Sequence, residues 1–256
     1  MLSKIKNVSI RFLLPLVFWL GVWQIAALIV NRSYFLPTVP ETFLSLIDII
    51  KSDVFLKTVS MTLLRIVFGL LLGISLGIVL GIAAFKSKIL YSLLSPAISV
   101  IKATPVASII ILLWISMSGD KLSVLIALLM VLPIVWQNVY DGLSAVSPEL
   151  SELATAYEFS FMKKMRILVL PTLSDFLIPA LISATGLAFK SEIAAEIIAG
   201  VRNSIGQMIY NSKDAYNTSA VFAWTVIGIF FSVLFEKLVR YLLSKLKKNA
   251  KREVRI

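Results

Sequence analysis

Long apolar segments dominate the pattern of the chain, and six of them are long enough to cross a bilayer. A membrane-spanning helix needs about 20 mostly apolar residues. The candidate spans lie near 12–31, 63–85, 103–119, 122–140, 172–198 and 219–242. The pattern predicts an all-α fold: a polytopic transmembrane helical bundle of about six spans, forming a single domain over residues 1–256.

Two segments depart from the simple spanning pattern. Residues 31–62 mix charges with apolar positions that share one helical face, which predicts a short amphipathic surface helix that does not cross. Residues 89–118 are too long for one upright span, and Lys102 and Pro105 divide them. We expect a helix at the cytoplasmic interface over 89–101 and a span that begins near Ala103.

Composition excludes several classes of protein. Hydrophobic residues make up 59% of the chain and charged residues 15%, whereas soluble domains carry about 25% charged residues. The chain has no cysteine and no histidine, which excludes a disulfide framework and any catalytic pair that needs either residue. It also lacks a GxxxxGK[ST] phosphate loop, so it is not expected to bind ATP itself. No metal site is predicted.

The net charge of +11 is distributed unevenly. If both termini are cytoplasmic, sixteen of the Lys and Arg residues lie on the inner side and seven on the outer side. The seven are Arg32, Lys51, Lys57, Arg65, Lys121, Arg202 and Lys213. The basic tail at 243–256 supplies much of this asymmetry. Cytoplasmic loops are enriched in basic residues, so we predict cytoplasmic termini and contact of the tail with lipid headgroups rather than nucleic acid.

Four glycines recur every fourth residue in the second span: Gly69, Gly73, Gly77 and Gly81. This spacing places them on one helical face, where the absence of side chains allows two backbones to approach closely. The pattern indicates tight packing against another helix, and a helix that slides or lines a pathway is the alternative.

The longest cytoplasmic segment covers 141–171. Ser147 suits a helix N-cap and Pro148 the first helical position. A short capped helix between two spans is suited to docking in a cleft of a partner protein. An inert connecting loop remains the alternative.

Charged residues within or beside the spans are candidates for the pathway or its gate: Lys102, Lys190, Glu192 and Glu196. Charges at membrane depth are costly and normally face a partner or a watery cavity. The alternative is a structural ion-pair network near the outer interface.

The segment that begins Glu152-Leu153-Ala154 and closes with Leu168-Val169-Leu170-Pro171 resembles the EAA signature of the permeases of ATP-binding-cassette (ABC) importers. The distance from Glu152 to Pro171 matches that signature. The chain departs from it with Leu153 in place of the first alanine and Glu158 in place of a glycine.

Three further motifs are similar to the nitrate/sulfonate/taurine-type branch of these permeases. They are the Leu-Pro-x-x-Pro loop at 36–40, Lys-Ala-Thr-Pro at 102–105 and Phe-Lys-Ser-Glu-Ile-Ala-Ala-Glu at 189–196. With the EAA-like segment they follow one another in the order of the family.

The resemblance implies a type I importer permease in the cell membrane of a prokaryote, with two such subunits, usually identical. ABC ATPase subunits, which bind ATP and Mg, and an extracytoplasmic substrate-binding protein complete the assembly. It also implies that the coupling helix contacts the ATPase, through Glu152, Ala154, Thr155, Ala156, Glu158 and Pro171. We do not expect the chain to be an enzyme.

Two other classes of membrane protein are alternatives to an importer permease. A polytopic membrane enzyme needs a converging polar cluster at one interface, and an ion-driven secondary carrier commonly shows inverted repeats. Neither pattern is evident in the sequence, and the sequence does not identify the transported solute.

Overall fold

The computed structural model describes residues 2–117 and 119–253, with side chains described for 13–117 and 119–245. Most of these residues are helical. The helices are α1 Leu2–Val30, α2 Val39–Lys51, α3 Phe55–Lys86, α4 Lys88–Ala103, α5 Val106–Trp114, α6 Asp120–Ser144, α7 Pro148–Ala156, α8 Phe161–Lys164, α9 Leu170–Ala199, α10 Ile205–Asp214 and α11 Thr218–Glu253. In the predicted basic tail, the side chains after Lys245 and all of 254–256 lie outside the described residues.

Helix α6 is the centre of the bundle and packs between α3 and α9. Its buried side chains Val131, Val135 and Val139 join Ile66 of α3 and Phe189 of α9 in the largest apolar cluster. About three fifths of the most apolar part of α6 is buried in the chain itself, the largest share of any long helix among the described residues.

The glycine face of α3 lies directly against α6. A Cβ atom added at Gly73 would stand 2.7 Å from Val131 Cβ, and one at Gly77 would stand 2.7 Å from Val135 Cβ. Gly69 and Gly81 meet Ala127 and Val139 in the same way. Since both residue numbers rise together along the contact, α3 and α6 run parallel.

Contacts between side chains also give the directions of α9 and α11. Gly142 of α6 meets Leu173 near the start of α9, and Ser123 of α6 meets Glu192 near its end, so α6 and α9 are antiparallel. Phe189 of α9 contacts Phe235 of α11 in a second antiparallel pair. We call the end of the bundle that holds α7 the α7 end, and the opposite end the α10 end.

Helices α4 and α5 return the chain from the α7 end to the α10 end. Ile98 of α4 packs near the middle of α6, against Leu132 and Trp136, whereas Ile110 of α5 packs near the start of α6, against Leu122 and Ile126. The two helices meet at a bend of 100°.

This return path differs from the predicted span at 103–119. Helix α5 has only nine residues, about 14 Å of helix at 1.5 Å per residue, so α4 supplies part of the crossing instead of lying wholly at an interface. Pro105 explains the bend, because a proline has no N–H to donate and keeps Thr104 in an extended conformation.

Five helical segments are long and apolar enough to cross a membrane, and the bent α4–α5 pair brings the number to six among the described residues. The predicted all-α bundle of about six spans is confirmed. The long segments that meet these criteria are 13–30, 55–86, 120–144, 161–199 and 218–245.

The amphipathic helix predicted within 31–62 is α2, which lies at the α10 end. Thr38 and Glu41 form a capping box, and the Thr38 backbone N–H holds the pKa of Glu41 below its usual value. Leu46 and Ile49 pack against the cluster around Trp224 of α11. The helix has 13 residues, too few to cross a bilayer.

Candidate functional site

Helix α7 begins as the sequence indicates. Ser147 is the N-cap, and its side chain accepts a hydrogen bond from the Leu150 backbone N–H at 3.2 Å. Pro148 occupies the first turn, where a missing N–H costs nothing. Ser147 also hydrogen-bonds the Glu149 carboxylate and lowers the pKa of that group.

The C-terminus of α7 explains why a glycine is typical at position 158. The Phe159 N–H donates to the Ala154 carbonyl and the Glu158 N–H to the Thr155 carbonyl, both at 2.9 Å. This pair of bonds is a Schellman motif, which needs one residue in the left-handed conformation. Glu158 takes that role with φ 54°, which is costlier for glutamate than for glycine.

The residues predicted to contact an ATPase divide into two groups. Glu152, Thr155, Ala156 and Glu158 are exposed. Ala154, however, is only 5% exposed, and it lies at the wall of an apolar depression of about 280 Å³ within its own segment. The predicted contact of Ala154 with the ATPase stays a prediction, and in this structure its side chain packs within its own segment.

The exposed surface of the α7–α8 segment carries several large apolar side chains beside its polar ones. Its large exposed side chains are Leu150, Leu153, Tyr157, Phe161 and Met162. Tyr157 is 70% exposed and Phe161 75%. Apolar groups clustered on an exposed loop mark an interaction surface.

The segment connects to α9 without a break. Residues Met165–Val169 form a π-helical turn between α8 and α9, in which the Leu170 N–H donates to the Met165 carbonyl. Pro171 follows in the first turn of α9 and is partly buried. The α7–α8 segment is therefore joined to α9 by continuous helical backbone.

At the α10 end, α9 contributes to a buried charge cluster around Arg65. The Arg65 guanidinium donates to Asp120 Oδ1 at 2.7 and 2.8 Å and to Glu196 Oε1 at 3.0 Å. It also donates to the Arg202 carbonyl at 2.9 Å and the Asn203 carbonyl at 3.4 Å. One side chain thus links α3, α6, α9 and the connection to α10.

The Glu196 carboxylate is satisfied by several donors. The Thr62 hydroxyl donates to Oε1 at 2.8 Å, and the Gly206 N–H donates to Oε2 at 3.1 Å. Gly206 allows this approach because an added Cβ would lie 2.4 Å from Glu196 Cβ. Thr62 in turn accepts a hydrogen bond from the Ile205 N–H at 3.0 Å.

Glu192 lies one turn before Glu196 and is also fully buried. The Ser123 hydroxyl hydrogen-bonds Glu192 Oε1, whereas Oε2 has no partner among the described residues. A buried polar atom without a partner is costly, which makes this position sensitive to local rearrangement.

The two lysines predicted beside these glutamates are not part of the cluster. Lys190 is exposed on α9, and its direction on the helix differs from those of Glu192 and Glu196. Lys102 is exposed at the end of α4. The structure therefore brings the two glutamates together and separates them from both lysines.

The sequence analysis does not identify four members of this cluster: Arg65, Asp120, Ser123 and Thr62. It counts Arg65 among the basic residues on the outer side. A usable signal was present, because Arg65 precedes Gly69 by four residues and so belongs to the same helical face as the glycines. The partners on α6 are distant in sequence and carry no comparable signal.

The helical bundle, with its exposed loop helices at one end, defines a polytopic membrane protein of the permease type. Residues 69–248 match the family described as the binding-protein-dependent transport system inner membrane component. Because this match covers more than half of the chain, the protein belongs to that family. It is the permease component of an ABC importer.

Relatives extend the match over nearly the whole chain. The chain is 28% identical over 239 residues to the putative aliphatic sulfonates transport permease protein SsuC of Bacillus subtilis (strain 168), covering 92% of this chain and 86% of that protein. This supports the predicted nitrate/sulfonate/taurine-type branch.

Two solved structures share the fold. A chain of the MetNI methionine ABC transporter, in an inward-facing conformation, aligns with a TM-score of 0.56 at 16% identity, over 77% of this chain and 96% of that one. An amino acid ABC transporter aligns with a TM-score of 0.56 at 17% identity, over 77% and 93% of the two chains. The predicted likeness to type I permeases is confirmed.

Family membership implies ATPase partners and a binding protein for this multi-pass membrane protein. ATP and Mg would be bound by the ATPase chain. Within the described residues, no group of three or more Asp or Glu residues is placed to hold a metal ion.

Proposed function

We propose that the chain is one half of the transmembrane part of a sulfonate importer, assembled as a homodimer in the plasma membrane of a prokaryote. The SsuC relative, named for aliphatic sulfonates and aligned over 92% of this chain, supports the proposed substrate class. An extracytoplasmic binding protein delivers the solute at the α10 end, and two ATPase subunits bind at the α7 end.

The main support for this proposal is the set of large apolar side chains exposed on the α7–α8 segment. Leu153, Tyr157 and Phe161 project from short capped helices that link α6 to α9. Such a segment suits docking in a cleft of an ATPase, since its two attachments lead directly into the bundle. The closing of the ATPase pair would then move α6 and α9 together.

The placement of basic residues supports a cytoplasmic location for the α7 end. Lys86, Lys88, Lys163, Lys164 and Arg166 lie at or near the α7 end. Arg65, which we had counted on the outer side, is buried in the bundle and no longer counts as a loop residue there. The asymmetry therefore favours a cytoplasmic α7 end more strongly than the sequence count did.

Exchange of Tyr157 for arginine tests the docking surface. Tyr157 is 70% exposed, so Tyr157→Arg leaves the permease folded but buries a charge against the ATPase. Loss of a central aromatic contact costs about 2 kcal/mol or more, which is about a 30-fold loss of affinity. We expect the ATPase to be lost when the tagged permease is purified in detergent.

Tyr216→Arg is the matched control. Tyr216 is 85% exposed at the C-terminus of α10, on the opposite end of the bundle. The ATPase yield should equal that of the wild type. If Tyr157→Arg retains a full yield of ATPase while both variants remain monodisperse, the α7–α8 segment is only a connecting loop.

A further inference from the structure

A stripe of small and polar residues runs along the unburied side of α9. Its members recur every three or four residues and are exposed or half-buried: Thr172, Asp175, Pro179, Ser183, Gly186, Lys190 and Ala194. The exposed residues of α1 are of the opposite kind, for example Leu14, Val17 and Trp19. Large apolar side chains suit lipid, so α1 has a lipid-facing surface and the α9 stripe does not.

Lys190 belongs to this stripe and lies far from the end of α9, measured along the helix axis. It precedes the end of α9 by nine residues, about 13 Å along the helix axis. Two residues later, Glu192 is level with Ser123 near the start of α6. The lysine is therefore at membrane depth.

Lys102 reaches a comparable depth on the bent α4–α5 pair. It lies between Ile98, which packs near the middle of α6, and Ile110, which packs near its start. Five of the exposed residues around it are small or polar: Ser99, Ala103, Pro105, Ala107 and Ser108. Val100 is the apolar exception, at 64% exposed.

Neither lysine makes an ion pair with any described residue. Of the acidic groups along α9 and α11, Glu196 binds Arg65, and Glu236, which lies beside Gly186, binds Arg240 at 2.9 Å. Glu192 is two residues from Lys190 but points in another direction on the helix, toward Ser123 of α6. A lysine at the bilayer centre costs about 2.5–3.5 kcal/mol when it faces lipid. Both amines therefore need water or an anion.

We propose that Lys190 and Lys102 make the translocation pathway selective for anions, so that it conducts small solutes that carry a sulfonate or a similar oxyanion. The inference rests on the proposed function and adds a role for this chain in choosing its substrate. An ammonium attracts an oxyanion as a point charge and releases it readily in water, as a pathway requires. The binding protein would select the solute, and the two lysines would exclude cations.

Cysteine modification measures this selectivity without needing transport. The native chain has no cysteine, so Ser183→Cys introduces one thiol about two turns from Lys190. The complex is treated with a negatively charged methanethiosulfonate (the sulfonatoethyl reagent) or a positively charged one (the trimethylammonium-ethyl reagent). We expect Lys190→Gln to lower the ratio of the negative to the positive rate by about tenfold.

Val17→Cys on α1 is the control and should react with neither reagent, since a thiol in lipid does not ionise. If Ser183→Cys is equally unreactive, the stripe is not aqueous and the inference is overturned. An unchanged ratio of rates in Lys190→Gln overturns it as well.

Uptake of radiolabelled ethanesulfonate into proteoliposomes separates this inference from the proposed function. With the ATPase and the binding protein present, Lys190→Gln should reduce uptake at least tenfold. Lys190→Arg should retain most of it, and Lys57→Gln, which changes an exposed lysine in the first turn of α3, should match the wild type. Normal uptake by Lys190→Gln would refute the role of the lysine and leave the importer intact. Absence of uptake by the wild type would refute the sulfonate substrate, while the ratio of reagent rates would still decide the charge selectivity.

Discussion

Arg65 is surrounded by acceptors from three other parts of the chain at the α10 end. Asp120, Glu196 and the carbonyls of residues 202 and 203 take up its donors. Glu196 is fully buried, whereas the side chain of Asp120 is 63% exposed. Loss of the arginine would therefore leave one buried carboxylate without its cation, which is far more costly than losing a surface pair.

Exchange of Arg65 for methionine tests this residue. Breaking a buried ion pair by removing one partner costs about 3–5 kcal/mol, so Arg65→Met should sharply lower the thermal stability of the purified permease. The double variant Arg65→Met/Glu196→Gln should recover part of the loss, because the unpaired charge is removed.

Arg240→Met provides the comparison. Arg240 and Glu236 form an exposed pair one turn apart on α11, and such pairs contribute about 0.3–0.5 kcal/mol. Equal melting temperatures for Arg65→Met and Arg240→Met would show that the buried cluster does not hold the four elements together.

Among the described helices, α3 and α6 share the most extensive contact. The four glycines of α3 let the β-branched side chains of α6 contact its backbone, and Val131, Val135 and Val139 repeat at the same interval of four. Both helices keep this register over three turns. In a bilayer, such packing replaces the hydrophobic effect as the source of association.

Gly73→Leu tests the contact. A Cβ at this position would already lie 2.7 Å from Val131 Cβ, and the backbone carbonyl of Leu128 is 3.0 Å away, so no leucine rotamer fits. Overpacking of this kind costs about 1–3 kcal/mol or more. We expect a large fall in the yield of folded permease, measured by size-exclusion chromatography.

Leu72→Ala, at an exposed neighbouring position, should behave almost like the wild type. Equal yields would contradict a close α3–α6 contact.

Local patterns allowed part of the structure to be predicted. Three features depend only on neighbours in sequence: the four-residue interval of the glycines, the helix start at Ser147 and Pro148, and the lengths of the apolar segments. Each corresponds to an element described above. The charge cluster depends on Arg65, Asp120 and Glu196, which are separated by 55 to 131 residues. A single sequence does not show that such residues meet. The break between α4 and α5 was located at Pro105, but the length of each part depends on packing against α6.

For the whole molecule, α9 is the physical link between the two ends. It begins at the π-helical turn after the α7–α8 segment and ends at Glu196 and the connection to α10. Its inner side holds the charge cluster, and its exposed side carries Lys190. A single rigid helix can therefore relate docking at the α7 end to rearrangement at the α10 end, provided that both sites bias its position.

We expect this chain to transport its solute by coupling to ATP hydrolysis at the α7 end. The most direct measurement is the uptake of radiolabelled ethanesulfonate by proteoliposomes that contain the permease and its ATPase. ATP is enclosed inside, and the binding protein is added outside. We predict uptake that requires both ATP and the binding protein and that is lost in Tyr157→Arg. Uptake that proceeds without ATP, driven by a sodium or proton gradient, would contradict the account and identify the chain as a secondary carrier.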